Sequence, residues 1–164
     1  VPQGEAGELW VRGSSVIKGY SNRPDDTAKT ITEGWLHTGD VARIDADGFL
    51  YIVDRKKDLV IRGGENVSCT EVEACVYRHP AVAECCVFGV SDPRLGEEIA
   101  LAVVLKPGEA ADAAALSAHC GQHLSKHKVP RYVRFFTEPL PRNASGKFLR
   151  RDLRETFENE QTEA

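Results

Sequence analysis

Methionine is absent from all 164 residues, so Val1 is not a natural start and the chain is expected to be a piece of a longer protein. No apolar run approaches the roughly 18 residues that a membrane-spanning helix needs. The opening VPQGEAGELW has none of the layout of a signal peptide. Neither sign of charge dominates: the formal net charge is −4 with no large acidic or basic block, so composition gives no argument for nucleic-acid binding. Internal repeats and low-complexity segments are missing as well. The cysteines, Cys69, Cys75, Cys85, Cys86 and Cys120, are odd in number and lack C-x-x-C spacing. They read as reduced small hydrophobes of a cytoplasmic protein, not as a disulfide or metal framework.

What is present suits a soluble α+β protein. Hydrophobic residues make up 41% of the chain, enough for a real core, and the 28% charged residues are ordinary for a solvated surface. GELWVRG (7–13) predicts a short strand, and RPDDTAKTI a helical turn with Pro24 and two aspartates at its start. VARIDADGFLYIVDR predicts a hairpin turning at Asp47-Gly48. Its D-x-D-G lacks the later ligands of a calcium loop and reads as a turn. DRKKD (54–58) has the look of a linker.

Beyond the linker, LVIRGGENVSCTEVEACVYRHP predicts a strand, a Gly63-Gly64 loop and a helix. That helix is expected to open on a Thr70/Glu73 capping box, to bury Val72, Cys75 and Val76, and to stop before Pro80. VAECCVFGV and EEIALAVVL are strand-like, the second so apolar that it belongs in the centre of a sheet. A helix with Leu116, Cys120 and Leu124 in register follows, then a strand at YVRFF. A final helix at FLRRDLRETF should turn Leu149, Leu153 and Phe157 inward and its arginines outward.

Several residues could carry chemistry. His119, His123 and His127 recur at four-residue steps, which can set two imidazoles on one metal. No carboxylate completes the set and Gly121 is expected to interrupt the helix, so a solvated helix edge is the preferred reading. GWLHTGD (34–40) is expected to be a loop ending on Asp40, a carboxylate able to accept hydrogen bonds from a vicinal diol, or simply a turn residue. Arg55, Lys56, Lys57 and Asp58 form either a solvated turn or a pivot. Gly63-Gly64 is a plain turn or a place where a thin ligand passes the backbone.

LPRNASGKFLRRDL (140–153) places Lys147 directly after Gly146. A phosphate-binding P-loop fails here, because Pro141 stands at the first glycine position and Phe148 replaces the magnesium-binding hydroxyl. Asn143-Ala144-Ser145 is a formal glycosylation sequon, irrelevant in a cytoplasmic protein. On composition alone Lys147 is a surface lysine.

Taken in series, GELWVRG, GYSNRPDDT, GWLHTGD, DRKKDLVIRGGENVSCTEVE, HPAVAECCVFGVSDPRLGEEIALAVVL and KVPRYVRFFTEPLPRNASGKFLRRDL resemble the adenylate-forming superfamily of acyl-CoA synthetases, luciferases and peptide-synthetase adenylation domains. DRKKD and RGGENV look most like fatty-acid–CoA ligases. The resemblance implies a small mobile C-terminal domain (a three-stranded sheet with helices, plus a short hairpin) over residues 59–164. A hinge at 56–58 joins it to residues 1–55, the β-rich end of a large N-terminal adenylation domain.

The resemblance also implies ATP and AMP as nucleotides, Mg2+ held by the absent N-terminal part, and coenzyme A as co-substrate. Asp40 would bind the ribose hydroxyls, Arg55 would help hold the nucleotide, and Lys57 would be the hinge. Lys147 would bridge carboxylate and phosphate oxygens during adenylation, while Gly63 and Gly64 would border the pantetheine tunnel. The expected partners are a small carboxylic acid, coenzyme A and the chain's own N-terminal domain. A carrier-protein-loading adenylation domain and a non-catalytic coenzyme A- or partner-binding module are the alternatives. One departure is the helix after the glycines, which often begins on a proline where this chain has Cys69 or Thr70.

Overall fold

The computed structural model describes residues 1–162. They form two compact units, Val1–Lys57 and the chain from Asp58 onward. The first unit is an antiparallel sheet carrying one short helix. Strand β1 (Gly7–Val11) pairs with β3 (Trp35–Ile44), which also pairs with the two-residue β2 (Ile31–Thr32) and with β4 (Leu50–Arg55). Helix α1 (Pro24–Thr30) begins on Pro24, whose fixed φ suits a first helical position, with Asp25 and Asp26 at its positive end. The β3–β4 turn is closed by Asp45, whose carboxylate accepts from the amides of Asp47 and Phe49 at 3.0 and 2.9 Å. D-x-D-G is therefore a side-chain-capped turn, as expected.

GWLHTGD is not a loop. Trp35–Asp40 is the first half of β3, paired through Trp10 to His37 and Val11 to Leu36. Gly39, at φ +72°, and register shifts on both flanking ladders break the two-residue alternation that would have announced a strand.

The second unit is a five-stranded sheet with helices on both faces. Its strands are β5 (Leu59–Arg62), β6 (Glu65–Ser68), β7 (Val82–Asp92), β8 (Gly96–Leu105) and β9 (Tyr132–Phe136). Central β8 has β7 along one edge; the other is shared by β5, joined only at Arg62–Gly96, and by parallel β9 over Ala100–Val104. This is the three-stranded sheet with a short hairpin attached. Strand β6, the second arm of that hairpin, carries no strand pattern of its own, because Glu65 and Asn66 are exposed and only Val67 and Ser68 face inward.

The near-continuous apolar runs of β7 and β8 follow from burial on both faces. Cys85, Val87, Ile99, Leu101 and Val103 pack with Val72, Cys75 and Val76 of α2 (Cys69–Val76) and Leu116 and Cys120 of α3 (Ala113–His123). On the other face Cys86, Phe88, Val90, Ala100 and Ala102 meet Leu140 and Leu153, the latter on α4 (Arg150–Thr162). The alanines leave room for Phe88 and Phe157, whose rings meet edge to face at 6.3 Å. Each large side chain so buried contributes about 1.5–3 kcal/mol relative to exposure.

All five cysteines are free and buried. Burial above all pushes the Cys86 and Cys120 thiols up to about 12 and raises Cys85 as well, so these three behave as small hydrophobes.

Two helix ends differ from expectation. Ser68, not Thr70, caps α2: its backbone is extended and its hydroxyl accepts from the Glu71 amide at 3.2 Å. Gly121 does not interrupt α3, which runs through it to His123; a single glycine costs only about 1 kcal/mol relative to alanine. No helix among the described residues is long and apolar enough to cross a membrane.

Candidate functional site

In the first unit Asp40 and Arg55 are directly opposed on β3 and β4, and the Arg55 guanidinium reaches the Asp40 carboxylate at 3.1 Å. The kink at Gly39 is held by Thr38, whose hydroxyl donates to the Leu9 carbonyl at 2.8 Å and accepts from the Asp40 amide at 3.0 Å. The carboxylate is thus fixed by strand pairing while keeping an oxygen for another donor. Arg55 is about half exposed, so the pair itself contributes little to stability. Lys56 is engaged with Glu8 at 3.0 Å, and this hydrogen bond is the main cause that holds the Glu8 carboxyl below its usual range. Lys57 makes no hydrogen bond or ion pair among the described residues; it sits in the short 3-10 turn Lys56–Asp58 and is the last residue of the first unit.

In the second unit Gly63 and Gly64 form a two-residue hairpin loop between β5 and β6, at φ +60° and +88°. A tight turn of this hand demands left-handed backbone at both positions, which glycine supplies without strain. The turn is anchored on both sides. The Gly63 amide donates to the Leu95 carbonyl at 2.8 Å. The adjoining Arg62 forks onto the fully buried Glu98 and donates to the His127 carbonyl at 3.0 Å. A side chain at Gly63 would press on Leu95 at 3.2 Å, whereas a Cβ at Gly64 would meet nothing within 4 Å.

Lys147 sits on a tight clip. Arg142 and Phe148 form a bridge, the Asn143 amide donates to the Lys147 carbonyl at 2.9 Å, and Gly146 takes φ +80°. The Asn143 side-chain oxygen accepts from the Ser145 amide, the Ser145 hydroxyl and the Lys147 amide, at 3.0, 2.8 and 2.9 Å. Arg142 covers the Phe148 ring and bonds both the Gly146 carbonyl and Glu84. The backbone under Lys147 is therefore rigid. Its ammonium is exposed and makes no hydrogen bond or ion pair among the described residues, although neighbouring Arg142, Arg150 and Arg151 are all engaged.

Arg150 was expected to face outward and does not. It bonds Glu73 at 2.8 Å, the Val87 carbonyl at 3.1 Å and Asp58 at 3.5 Å. Burial opposes its charge, but the adjacent Glu73 carboxylate outweighs that cost and holds the guanidinium more firmly protonated than usual. Glu73 is thereby drawn off the helix cap assigned to it and also accepts from the Val87 amide at 2.9 Å. Arg150, Asn143 and the Arg62–Glu98 pair were missed as supports. Asn-x-Ser ahead of Gly-Lys could have been read as a side-chain-capped turn.

A magnesium ion does not suit this chain's donors. Among the described residues the one group of three close metal-competent side chains is Cys75, His119 and His123, a softer set than the oxygen ligands Mg2+ requires.

Comparison with known proteins gives the chain its relatives. Residues 71–147 match the AMP-binding enzyme C-terminal domain. The chain is 49% identical over 150 residues to a 2-succinylbenzoate–CoA ligase of Geobacillus kaustophilus, covering 92% of this chain and 30% of the relative. It is 46% identical over 157 residues to a feruloyl-CoA synthase of an Amycolatopsis species, covering 96% and 32%. The chain thus spans about a third of the length of the curated relatives it matches. An O-succinylbenzoate coenzyme A synthetase of Bacillus subtilis, solved with AMP, superposes with a TM-score of 0.83 at 40% identity over 93% of this chain and 31% of that one. Sequence motifs in series, an α+β fold with the same architecture and relatives at this identity lead to one assignment: the chain belongs to the adenylate-forming superfamily and carries its AMP-binding enzyme C-terminal domain.

Proposed function

We propose that this chain works as part of an ATP-dependent acid–thiol ligase. A carboxylate attacks the α-phosphate of ATP, giving an acyl-adenylate and pyrophosphate; the thiolate of coenzyme A then displaces AMP and gives the thioester. Residues 1–55 are taken as the β-rich end of the adenylation domain, 56–58 as a hinge pivoting at Lys57, and 59–164 as the mobile domain. Magnesium assists from ligands outside these residues.

The observation that carries the reading is Lys147: an exposed ammonium, unpaired among the described residues, on a backbone clip pinned by Asn143 and Arg142. Adenylation brings two anions together, and a preorganised cation lowers that cost without reorganising during the step. Asp40 would receive the ribose hydroxyls and Arg55 would steady the nucleotide. The open turn at Gly63-Gly64 would let pantetheine pass in the second step.

The acid is proposed only as a small carboxylate. A fatty acid is the expectation from DRKKD and RGGENV; succinylbenzoate and ferulate, which the relatives' names carry, are aryl-bearing acids. Assaying AMP release from a panel of both classes, with and without coenzyme A, decides between them. The 164-residue polypeptide by itself is expected to form no acyl-adenylate from ATP and acid, whereas the intact protein forms it and releases AMP when coenzyme A is added. Turnover by the 164 residues alone, or AMP release indifferent to coenzyme A in the intact protein, would refute this reading.

Asp40→Asn separates nucleotide binding from mere strand pairing. Because Arg55 is half exposed and the ion pair is screened by solvent, its loss should change the unfolding free energy by less than about 1 kcal/mol. The KM for ATP should nonetheless rise by about tenfold, the scale of one hydrogen bond to a charged group. An unchanged KM together with a lower melting temperature would make Asp40 structural only.

A further inference from the structure

The histidine spacing was set aside because no carboxylate completes the set and because Gly121 was expected to interrupt the helix. The fold answers both, with a thiol in the carboxylate's place and an unbroken helix. Helix α3 is continuous through Gly121, and α2 brings Cys75 against it. One donor atom each from Cys75, His119 and His123 lies within 4.8 Å of the others. We propose that Cys75, His119 and His123 form a binding site for a borderline-soft divalent cation of the zinc type, joining the end of α2 to α3.

The hydrogen bonds support ligation. The His119 Nε2 lies 3.0 Å from the Cys75 carbonyl, and the His123 Nδ1 lies 2.8 Å from the His119 carbonyl. A carbonyl only accepts, so each of these nitrogens carries the proton. In the neutral rings the lone pairs then sit on Nδ1 of His119 and Nε2 of His123. A histidine ligand characteristically donates its other ring N–H to an acceptor of this kind. The thiolate and two imidazoles suit zinc, which is tetrahedral and accepts mixed sulfur and nitrogen ligands. Cys75 is buried, His119 half-buried and His123 exposed, so the cation enters from the solvent side and a water completes its shell. His79, edge-on to His119 at 5.3 Å, is the nearest further imidazole. His127 lies beyond α3 and outside the cluster. As the sulfur–metal bond forms, the Cys75 S–H proton leaves to water.

Cobalt(II) titration of the purified chain under reducing conditions tests this directly, because a cobalt–thiolate bond gives a charge-transfer band absent from cobalt bound only by nitrogen. One equivalent is expected to bind with that band, to be displaced by zinc, and to raise the melting temperature. His123→Ala, at an exposed position, should fold normally and weaken binding by at least the roughly 10–100-fold that loss of an outer-shell partner costs. His127→Ala should bind as the unaltered chain does. Absence of the thiolate band, or equal binding by His123→Ala, would overturn the proposal.

Discussion

Replacing Lys147 with alanine in the intact protein is expected to slow acyl-adenylate formation by on the order of 10²–10³, the usual cost of removing one preorganised electrostatic group. Thioester formation from supplied acyl-adenylate should stay within a few-fold of normal. Protein stability should change by less than about 0.5 kcal/mol, because the side chain is exposed and bonds nothing among the described residues. That combination separates chemistry from folding. The clip survives the substitution, since Asn143 bonds the Lys147 amide and carbonyl and not its side chain. A Lys147→Arg variant keeps the charge but spreads it over a planar fork, so it should recover only part of the rate. Normal adenylation by Lys147→Ala, measured as pyrophosphate release in a single turnover, would remove the role assigned to this residue.

Gly64→Leu is expected to produce the opposite defect. A Cβ at Gly64 meets nothing within 4 Å, so the new side chain has room. The strain of a branched residue at φ +88° costs about 1–2 kcal/mol, which the hairpin's anchors at Leu95 and Arg62 can absorb. Adenylation should persist. Thioester formation should fall by on the order of 10², the penalty of displacing a reactant from its attack geometry. Gly64→Ala is the control for the backbone: it carries the strain without the bulk, and most of the rate should return. If Gly64→Ala and Gly64→Leu are equally impaired, the glycine serves only its turn.

Legibility in the sequence followed burial. The runs VAECCVFGV and EEIALAVVL were readable because both faces of β7 and β8 are covered, so apolar residues and glycine follow one another without alternation over Cys85–Val90 and Ile99–Leu105. Helix α3 was readable from Leu116 and Cys120, the positions that pack on the sheet. Strand β6 was not readable from its own residues, because the first two face solvent and carry no pattern. The first half of β3 was hidden by Gly39, whose left-handed backbone breaks the alternation that marks a strand.

Asp40, Arg55, Gly63, Gly64 and Lys147 were proposed through a resemblance that singles out residues. What holds them could not be read, because it is made of long-range pairs: Arg62 with Glu98, and Arg150 with Glu73 and Asp58. An arginine inside FLRRDL gives no sign of which one turns inward. Only packing of α4 on β7 selects Arg150. The same limit applied to the histidines, whose third donor lies on another helix, 44 positions away in the chain.

The central claim is that one small domain supplies Lys147 to the first half-reaction and the Gly63-Gly64 turn to the second. Its most direct test is to measure both half-reactions, side by side, in Lys147→Ala and Gly64→Leu forms of the intact protein. The account predicts a crossed pattern: Lys147→Ala loses pyrophosphate release and keeps thioester formation from supplied acyl-adenylate, while Gly64→Leu does the reverse. Equal loss of both half-reactions in either variant would contradict it.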